Sequence, residues 1–355
     1  MTQRLKPELK QFLDGGTVIP AHPLALTSER KLDEQRQRRL TRYYMAAGSG
    51  GIAVGVHSTQ FEIREPEVNL YETVLRLAAE EVEQAGLTRP FIKIAGICGP
   101  TKQAVAEAQT AVKYGYDMGL LSMGGLQGWT EAEILERVKA VAAVMPVFGF
   151  YLQPSVGGRI FSYDFWLQFA EIENIEAIKV ASFNRYQTLD VVRAVCHSSR
   201  REKIALYTGN DDNIVADLLT SYEFEIDGGK VSKEFIGGLL GHWAAWTNAA
   251  VQLFEEIKAC KLNGYANAAA LLTKGVKVTD MNAAIFDPSH AFHGCIPGIH
   301  EVLRRQGLIA GTWCLNPEEQ LSDGQVGEIS RVCAAYPDLI DDTFVHNFLK
   351  NQHSD

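Results

Sequence analysis

The 355-residue sequence lacks the features that mark a secreted or membrane-spanning protein. Its six cysteines are scattered and form no Cys-x-x-Cys pair, so we expect reduced thiols rather than a disulfide framework. No stretch reaches the apolar length of a membrane span, and the first residues have no apolar core of a signal peptide. These absences predict a cytoplasmic protein without a membrane partner.

Basic charge is also scarce in this chain. It has 34 Lys and Arg against 43 Asp and Glu, which gives a formal net charge of −9. Nucleic acids and anionic membranes bind clustered Lys and Arg, and the one basic cluster, Arg36 to Arg42, lies in a helical pattern typical of a solvated face. We therefore expect no nucleic-acid partner. The 46% of hydrophobic residues is that of an ordinary globular chain.

One lysine stands in an apolar run where a charge is unusual. In a strand over 175–182, Lys179 shares a face with Ala177 and Ala181, and the branched residues share the other face. Two interpretations are open: a lysine that extends its ammonium to water near a strand end, or a buried amine with a function. A desolvated lysine becomes a nucleophile near neutral pH, as Schiff-base formation with a ketone requires.

Short strand-like runs alternate with helical patterns over the first two thirds of the chain. This alternation is typical of a parallel sheet built from strand–helix units, and eight such units predict a TIM (β/α)8 barrel. The alternative, a doubly wound open sheet, usually has a Gly-rich loop after its first strand, and none is present here. The predicted strands are 17–21, 51–56, 91–96, 118–122, 147–151, 177–182, 203–207 and 236–241.

The remaining residues contain only helical patterns. We therefore predict a barrel over 1–263 and a C-terminal helical appendage over 264–355. Residues 223–235, with Asp227-Gly-Gly229, are interpreted as an insertion before the last strand.

Catalytic groups of such barrels come from the C-terminal ends of strands and the loops that follow. Alternation along 147–151 predicts that Tyr151 faces inward with Val147 and Gly149, while the two phenylalanines face outward. Tyr151 and Lys179 would then end adjacent strands on one face, where a phenol moves protons at the carbon bound to the amine. The alternative for Tyr151 is a ring that caps the core with its hydroxyl in water.

A pair of motifs resembles a known family. Tyr151-Leu-Gln-Pro154 and Ile178-Lys-Val-Ala-Ser182, with 28 residues from Tyr to Lys, are similar to the dihydrodipicolinate synthase / N-acetylneuraminate lyase family of class I aldolases. The resemblance covers about 17–335. Further matches in order are Val18-Ile-Pro20, Gly51-Ile-Ala-Val-Gly55, Ile94-Ala-Gly96, Thr208-Gly-Asn-Asp211 and Gly264-Tyr-Ala-Asn-Ala268.

The resemblance implies roles for individual residues. Lys179 would form the Schiff base with pyruvate or a related 2-keto acid, and Tyr151 would be the proton shuttle. It also implies that no cofactor is needed and that the chain forms a homo-oligomer, a dimer or a tetramer. The residues that would contact the substrate are His57, Ser58, Thr59, Gly209, Asp211 and Gly241. Asp211 and Asp212 have a second interpretation, as caps of the helix that begins there.

The chain departs from the family pattern in three places. The second strand ends Gly55-Val-His-Ser-Thr-Gln60 where the family has a hydroxyl pair, so either His57 replaces a hydroxyl or the next two residues serve. The tyrosine after the fourth strand is missing from Met123-Gly-Gly-Leu126. The arginine that synthases carry shortly after the tyrosine is Val156, although Arg159 follows. These departures favour a lyase or aldolase over a true dihydrodipicolinate synthase.

Two other functions remain open from the sequence. His22, His57 and His242 end strands, so a metal-dependent barrel hydrolase is an alternative, although no His-x-His motif or acidic partner accompanies them. The missing hydroxyl pair and the missing tyrosine also allow a barrel that has lost catalysis and binds a small acid.

Overall fold

The structure is a computed structural model and describes residues 2–352, which form nine strands and thirteen α-helices. The strands are β1 (Val18–Pro20), β2 (Gly51–Val54), β3 (Ile92–Ile97), β4 (Met118–Ser122), β5 (Val147–Leu152), β6 (Ile175–Ala181), β7 (Ala205–Thr208), β8 (Ser221–Ile226) and β9 (Gly229–Leu240). The helices are α1 (Pro7–Asp14), α2 (Glu34–Ala46), α3 (Tyr71–Gln84), α4 (Thr101–Lys113), α5 (Glu131–Ala142), α6 (Tyr163–Glu171), α7 (Arg185–His197), α8 (Ile214–Leu219), α9 (Thr247–Leu262), α10 (Ala268–Phe286), α11 (Cys295–Arg305), α12 (Gln325–Ala335) and α13 (Asp342–Asn351).

The chain divides into two compact units. The first unit comprises Met1–Thr17 and Ile92–Leu239, and the second comprises Val18–Phe91 and Leu240–Asp355. This division does not follow the predicted boundary between residues 263 and 264. That boundary separates a barrel from an appendage by chain order, and it stays a prediction.

The first unit is built on a parallel sheet. Strands β3, β4, β5, β6, β7 and β9 are neighbours in this order, and all of these pairs are parallel. Every residue of β4 and β5 is buried, as expected for parallel strands covered on both faces. Apolar side chains therefore occupy both faces, and a polar residue on either face is exceptional.

The helices of the first unit begin where the sequence provides capping side chains. Thr130 and Glu133 form a capping box at α5, with each side chain accepting a hydrogen bond from the backbone N–H of the other. Ser162 accepts from Phe165 N at the start of α6. Such caps satisfy N–H groups that have no partner inside the helix, and they therefore fix where each helix starts.

The segment predicted as an insertion before the last strand forms a β-hairpin. Strand β8 pairs antiparallel with the first half of β9, from Ser221 opposite Glu234 to Ile226 opposite Gly229. Asp227 and Gly228 turn the chain with φ of 52° and 77°. Positive φ at both central residues is the geometry of a type I′ hairpin, which Asp-Gly favours.

The second unit contains β1, β2 and the C-terminal helices. Ala21, which directly follows β1, forms a parallel bridge with Ala53 of β2. The buried Asp341 links three elements, since its Oδ2 accepts from the Tyr43 hydroxyl at 2.6 Å and from Asn248 N at 2.9 Å. The last helices of the chain are thus held to α2 and α9 within one unit.

The order of elements confirms the predicted fold class. Apart from β8, the eight strands alternate with helices along the chain in the order of a (β/α)8 barrel, and α10 to α13 follow as additional helices. Within residues 2–352, none of the helices is sufficiently long and apolar to span a membrane.

Candidate active site

Lys179 lies near the C-terminal end of β6 and is 7% exposed. In the register of the sheet it stands beside Phe150 of β5 and Tyr207 of β7. Side chains of residues paired in this way point to the same face. Lys179 is thus a buried amine between two aromatic residues, as the second interpretation of the sequence requires.

The surroundings of Lys179 change its proton affinity. Burial lowers the pKa of Lys179 to about 8, and the negative charge of Asp211 opposes this shift. The nitrogen also lies over the ring of Phe150, 4.4 Å from its centroid. A lysine with this pKa is partly neutral close to physiological pH, and its free electron pair can attack a carbonyl carbon.

Gly209 leaves the space that the lysine side chain occupies. A Cβ at this position would lie 2.5 Å from Cε of Lys179 and 2.8 Å from Cβ of Ala181. The backbone N–H of Gly209 donates to Val180 O at 2.7 Å, which holds the residue tightly against β6. To admit a side chain here, either the Lys179 side chain or the loop after β7 would have to move.

A buried carboxylate holds the loop that carries Gly209 and Asp211. Asp217 of α8 accepts hydrogen bonds from Thr208 Oγ1 at 2.7 Å and from Asn210 Nδ2 at 2.9 Å. It also accepts from Asn213 Nδ2 at 2.9 Å and forms an ion pair with Arg185. These contacts define the backbone path between β7 and α8, and with it the position of Asp211.

Asn210 belongs to the motif Thr208-Gly-Asn-Asp211 but was given no role from the sequence, and Asp217 was not predicted; both residues are fully buried. Asn210 ties two strand-end loops together, because its Oδ1 accepts from Phe183 N at 2.9 Å. A weak signal was present, since Asp217 is the one charged residue among the apolar residues of α8. A buried acid in such a helix needs several donors, and their identity depends on the fold.

Tyr151 lies on the other face of β5 from the side chains that border Lys179. In the register of β5 and β6, Tyr151 stands beside Val180 and Phe150 stands beside Lys179. Two residues earlier, a Cβ on Gly149 would lie 2.6 Å from the ring of Phe169, so this face meets α6. The prediction that Val147, Gly149 and Tyr151 face inward is wrong. Both faces of β5 are apolar and buried. The pattern of apolar residues therefore does not distinguish the face that points into the barrel from the face that meets the helices.

The ring of Tyr151 lies in an aromatic cluster. Its centroid is 5.1 Å from that of Trp166 and 6.3 Å from that of Phe161. Burial raises the pKa of Tyr151 to about 12, and the nearby backbone of Phe161 opposes this shift. Among residues 2–352, no group meets hydrogen-bonding geometry with its buried hydroxyl.

The predicted substrate contacts His57, Ser58 and Thr59 form a short 3₁₀ turn after β2 in the second unit. Ser58 Oγ donates to Ala21 O at 2.9 Å, and Thr59 Oγ1 donates to His22 O at 2.6 Å. Thr59 Oγ1 also accepts from the backbone N–H groups of residues 55 and 56. The Thr59 hydroxyl is therefore fully used in the turn, whereas Ser58 Oγ keeps acceptor capacity. His57 is half-buried, with its ring 5.9 Å from that of Phe61.

Gly241 lies where the second unit packs its C-terminal helices. A Cβ at this position would lie 3.2 Å from the ring of Phe286 in α10 and 3.7 Å from Ile299 in α11. A role in leaving room for a keto acid stays a prediction.

The remaining strand-end histidines are packed and neutral. Burial lowers the pKa of both His22 and His242 to about 4. His22 contacts Pro23 O at 2.8 Å and Thr41 Oγ1 at 2.9 Å, and His242 contacts Asn282 Oδ1 at 2.6 Å. In the part of the chain that the structure describes, no group of three or more His, Cys, Asp and Glu residues could hold a metal ion.

Comparison with known proteins identifies the family. The sequence profile of the Dihydrodipicolinate synthetase family matches residues 15–335. The chain belongs to this family. Its members are class I pyruvate-dependent aldolases and lyases. The family therefore does not favour the alternative of a metal-dependent hydrolase. No curated protein sequence matches the chain.

Crystal structures of dihydrodipicolinate synthetase relatives have the same fold. Dihydrodipicolinate synthase from Oceanobacillus iheyensis is similar with a TM-score of 0.73 and 16% identity, over 93% of this chain and 99% of that chain. YagE, a prophage protein of the dihydrodipicolinic acid synthase family from E. coli K12 in complex with pyruvate, has a TM-score of 0.71 and 18% identity, over 91% and 98%. CdNal from Clostridium difficile in complex with mannosamine has a TM-score of 0.70 and 17% identity, over 90% and 99%. At these identities the likeness shows the fold alone.

Proposed function

We propose that the protein is a Schiff-base-forming lyase or aldolase in which Lys179 attacks the keto carbon of pyruvate or a related 2-keto acid. The neutral amine forms the carbon–nitrogen bond and gives up one proton, the carbonyl oxygen takes up this proton and a second one from solution and leaves as water, and the nitrogen then carries the positive charge of an iminium. This iminium is the electron sink for cleavage, condensation or dehydration of a hydroxylated keto acid. No cofactor takes part.

The observation that carries the proposal is the state of the Lys179 amine. It is buried, its pKa is lowered to about 8, and Gly209 leaves space beside its side chain. Perturbed amines of this kind cluster at functional sites. The position of Lys179 at the end of a barrel strand is where such barrels carry their catalytic groups. The complex of the relative YagE with pyruvate supports the substrate class.

Further residues are proposed to move protons and to hold the substrate. Asp211 is the charged group whose field reaches the amine, and we propose it as a contact for substrate hydroxyls. His57, Ser58, Thr59, Gly209 and Gly241 keep the substrate contacts that the family resemblance implies. Tyr151 keeps its assignment as proton shuttle on family resemblance only, since its hydroxyl is packed among aromatic rings.

Borohydride trapping tests the proposal directly. We expect reduction in the presence of pyruvate, or of one member of a panel of 2-keto acids, to leave a stable adduct that mass mapping places on Lys179. Lys179→Met should abolish the adduct. The control is Lys233→Met, because burial also lowers the pKa of Lys233, whose amine donates to Ile204 O at 3.2 Å. No adduct with any keto acid, or an adduct on another lysine, contradicts the proposal.

A barrel that binds a small acid without catalysis is the second candidate. The outward position of Tyr151 favours it, since a proton shuttle must reach the atoms bound to the amine. Stabilisation of the protein by pyruvate together with no turnover of any pyruvate aldol would support this candidate. Turnover of one such aldol would exclude it.

A homo-oligomer and a cytoplasmic location complete the proposal. The described structure is a single chain, and one similar protein is a monomeric variant of dihydrodipicolinate synthase, so the oligomeric state must be measured on this protein. Light scattering coupled to size exclusion distinguishes a monomer from a dimer or tetramer.

A further inference from the structure

Phe150 is the β5 residue that contacts the Lys179 amine. The two residues are paired in register on adjacent strands, and Nζ lies 4.4 Å from the ring centroid. Phe150 is 3% exposed and Lys179 is 7% exposed, so almost no water separates the nitrogen from the ring. The family resemblance assigns no role to this position.

The face of an aromatic ring carries negative potential and attracts a cation. The attraction strengthens when the cation is desolvated, because water no longer competes for it. Other groups around the nitrogen leave this task to Phe150. Asp211 provides a negative charge that raises the pKa of the amine, and the Tyr207 hydroxyl is already engaged at 2.7 Å with Leu13 O.

We infer that the ring of Phe150 is a catalytic contact, whose face stabilises the positive charge that Lys179 Nζ carries first as an ammonium and then as an iminium. The iminium part rests on the proposed function. The same nitrogen is the cation before and after the amine condenses with the keto acid, so the ring acts on both states. Phe150 thereby offsets part of the penalty that burial imposes on the charged nitrogen.

This inference predicts where on the pH scale the ring matters. Below the pKa of the amine, condensation with the keto acid converts an ammonium into an iminium. The ring stabilises both cations, so its effect on the equilibrium of iminium formation nearly cancels. Above that pKa, a neutral amine becomes an iminium, and the stabilisation by the ring counts in full. Loss of the ring should therefore weaken iminium formation on the alkaline side only.

The first experiment needs no substrate. Trace acetylation of the intact protein across a pH series, read by mass mapping of the peptide that contains Lys179, gives the pH midpoint of its reactivity. In Phe150→Leu we expect this midpoint to fall by about 0.5 to 1.5 pH units, as a cation–π contact in a desolvated site implies. Phe150→Met provides a second variant without a ring, should the leucine variant fail to fold by circular dichroism.

The matched control is Phe148→Leu. Phe148 lies on the same face of β5, one layer away, and packs edge-on against Tyr207 with centroids 5.3 Å apart. Its midpoint should equal that of the wild type. An unchanged midpoint in the Phe150 variants overturns the inference, and so does an equal shift in Phe148→Leu, which would indicate general repacking.

The second experiment separates this inference from the proposed function. With pyruvate and borohydride, the fraction of Lys179 trapped in Phe150→Leu should match the wild type at about pH 6.5 and fall severalfold at about pH 9.5. Equal trapping at both pH values overturns the iminium part. If wild-type protein forms no adduct with any keto acid, the proposed function fails, whereas the acetylation midpoint still decides whether the ring stabilises the ammonium.

Discussion

The ring of Tyr151 packs against the indole of Trp166, with centroids 5.1 Å apart and planes inclined by 33°. This contact places the tyrosine on the face of β5 that meets α6, beside Val180 and Gly149 rather than beside Phe150. The phenol hydroxyl is buried in an aromatic cluster, where its polar neighbour is the backbone of Phe161 and no group of residues 2–352 meets full hydrogen-bonding geometry with it. An unpaired polar group of this kind costs folding free energy.

Tyr151→Phe should therefore leave the protein as stable as the wild type or more stable. Removal of an unpaired buried hydroxyl is expected to raise the free energy of unfolding by about 0 to 1 kcal/mol, measured by urea denaturation. Turnover of the same variant tests the shuttle role. A loss of about 10²- to 10⁴-fold in kcat would support proton transfer by this hydroxyl, and a smaller loss would contradict it.

The control for this substitution is Tyr207→Phe. The Tyr207 hydroxyl is equally buried but donates to Leu13 O at 2.7 Å, so its removal leaves a buried carbonyl without its donor. We expect this variant to lose about 1 to 2 kcal/mol of stability. If the two variants changed stability alike, the contrast between a paired and an unpaired hydroxyl would be wrong.

Lys179→Met should stabilise the protein in a pH-dependent way. The pKa of Lys179 is about 8 in the folded protein against 10.5 in a model compound. Between these values the unfolded state binds more protons than the folded state, so wild-type stability rises with pH across this window. Below it, the buried ammonium costs about 3 kcal/mol.

The methionine variant lacks this ammonium. It should exceed the wild type in stability below about pH 8, and the difference should vanish above about pH 10.5. Urea denaturation at a series of pH values measures the difference. Lys102→Met removes an exposed lysine of α4 and should show no such pH dependence. A constant difference at all pH values would mean that Lys179 carries no burial penalty.

Gly209→Ala should disturb the amine while leaving most of the fold intact. Its Cβ would lie 2.5 Å from Lys179 Cε, so either the lysine or the loop after β7 must move. We expect a loss of about 1 to 3 kcal/mol in stability and a slower formation of the trapped adduct. Gly229→Ala is the control, because its nearest contact would be an ordinary 3.8 Å. Wild-type rates in Gly209→Ala would show that the amine tolerates displacement.

The strands and most helices were predictable because their signals are local. Apolar runs such as 118–122 and caps such as Thr130 depend on neighbours within a few residues. The β8–β9 hairpin carried the same kind of signal, since Asp227-Gly228 separates residues of alternating polarity. The insertion before the last strand was predicted, but its pairing as a hairpin was not.

The inner face of β5 was not predictable from the sequence. Alternation determines that Phe148 and Phe150 share one face of β5 and Tyr151 lies on the other. Which of these faces points inward depends on the residues that pack against each of them. Phe169 fills the space beside Gly149, and the Lys179 amine lies over Phe150. Both partners are distant in sequence. Lys179 itself was identified because a charge in the middle of a mostly apolar run has few explanations.

The Asp217 network depends on long-range contacts of the same kind, and its substitution gives the last prediction. Asp217→Asn keeps the shape of the side chain but removes the charge that pairs with Arg185 and one acceptor for the hydroxyl and amide donors around it. We expect a loss of about 2 to 4 kcal/mol in the free energy of unfolding. Hydrogen exchange should also accelerate at the backbone amides of 209–213, because the carboxylate holds this loop. Asp190→Asn breaks an exposed ion pair with Arg193 and should cost less than about 0.5 kcal/mol without changing exchange in the loop. If both variants lost the same stability and left the loop equally protected, Asp217 would not position Gly209 and Asp211 beside Lys179.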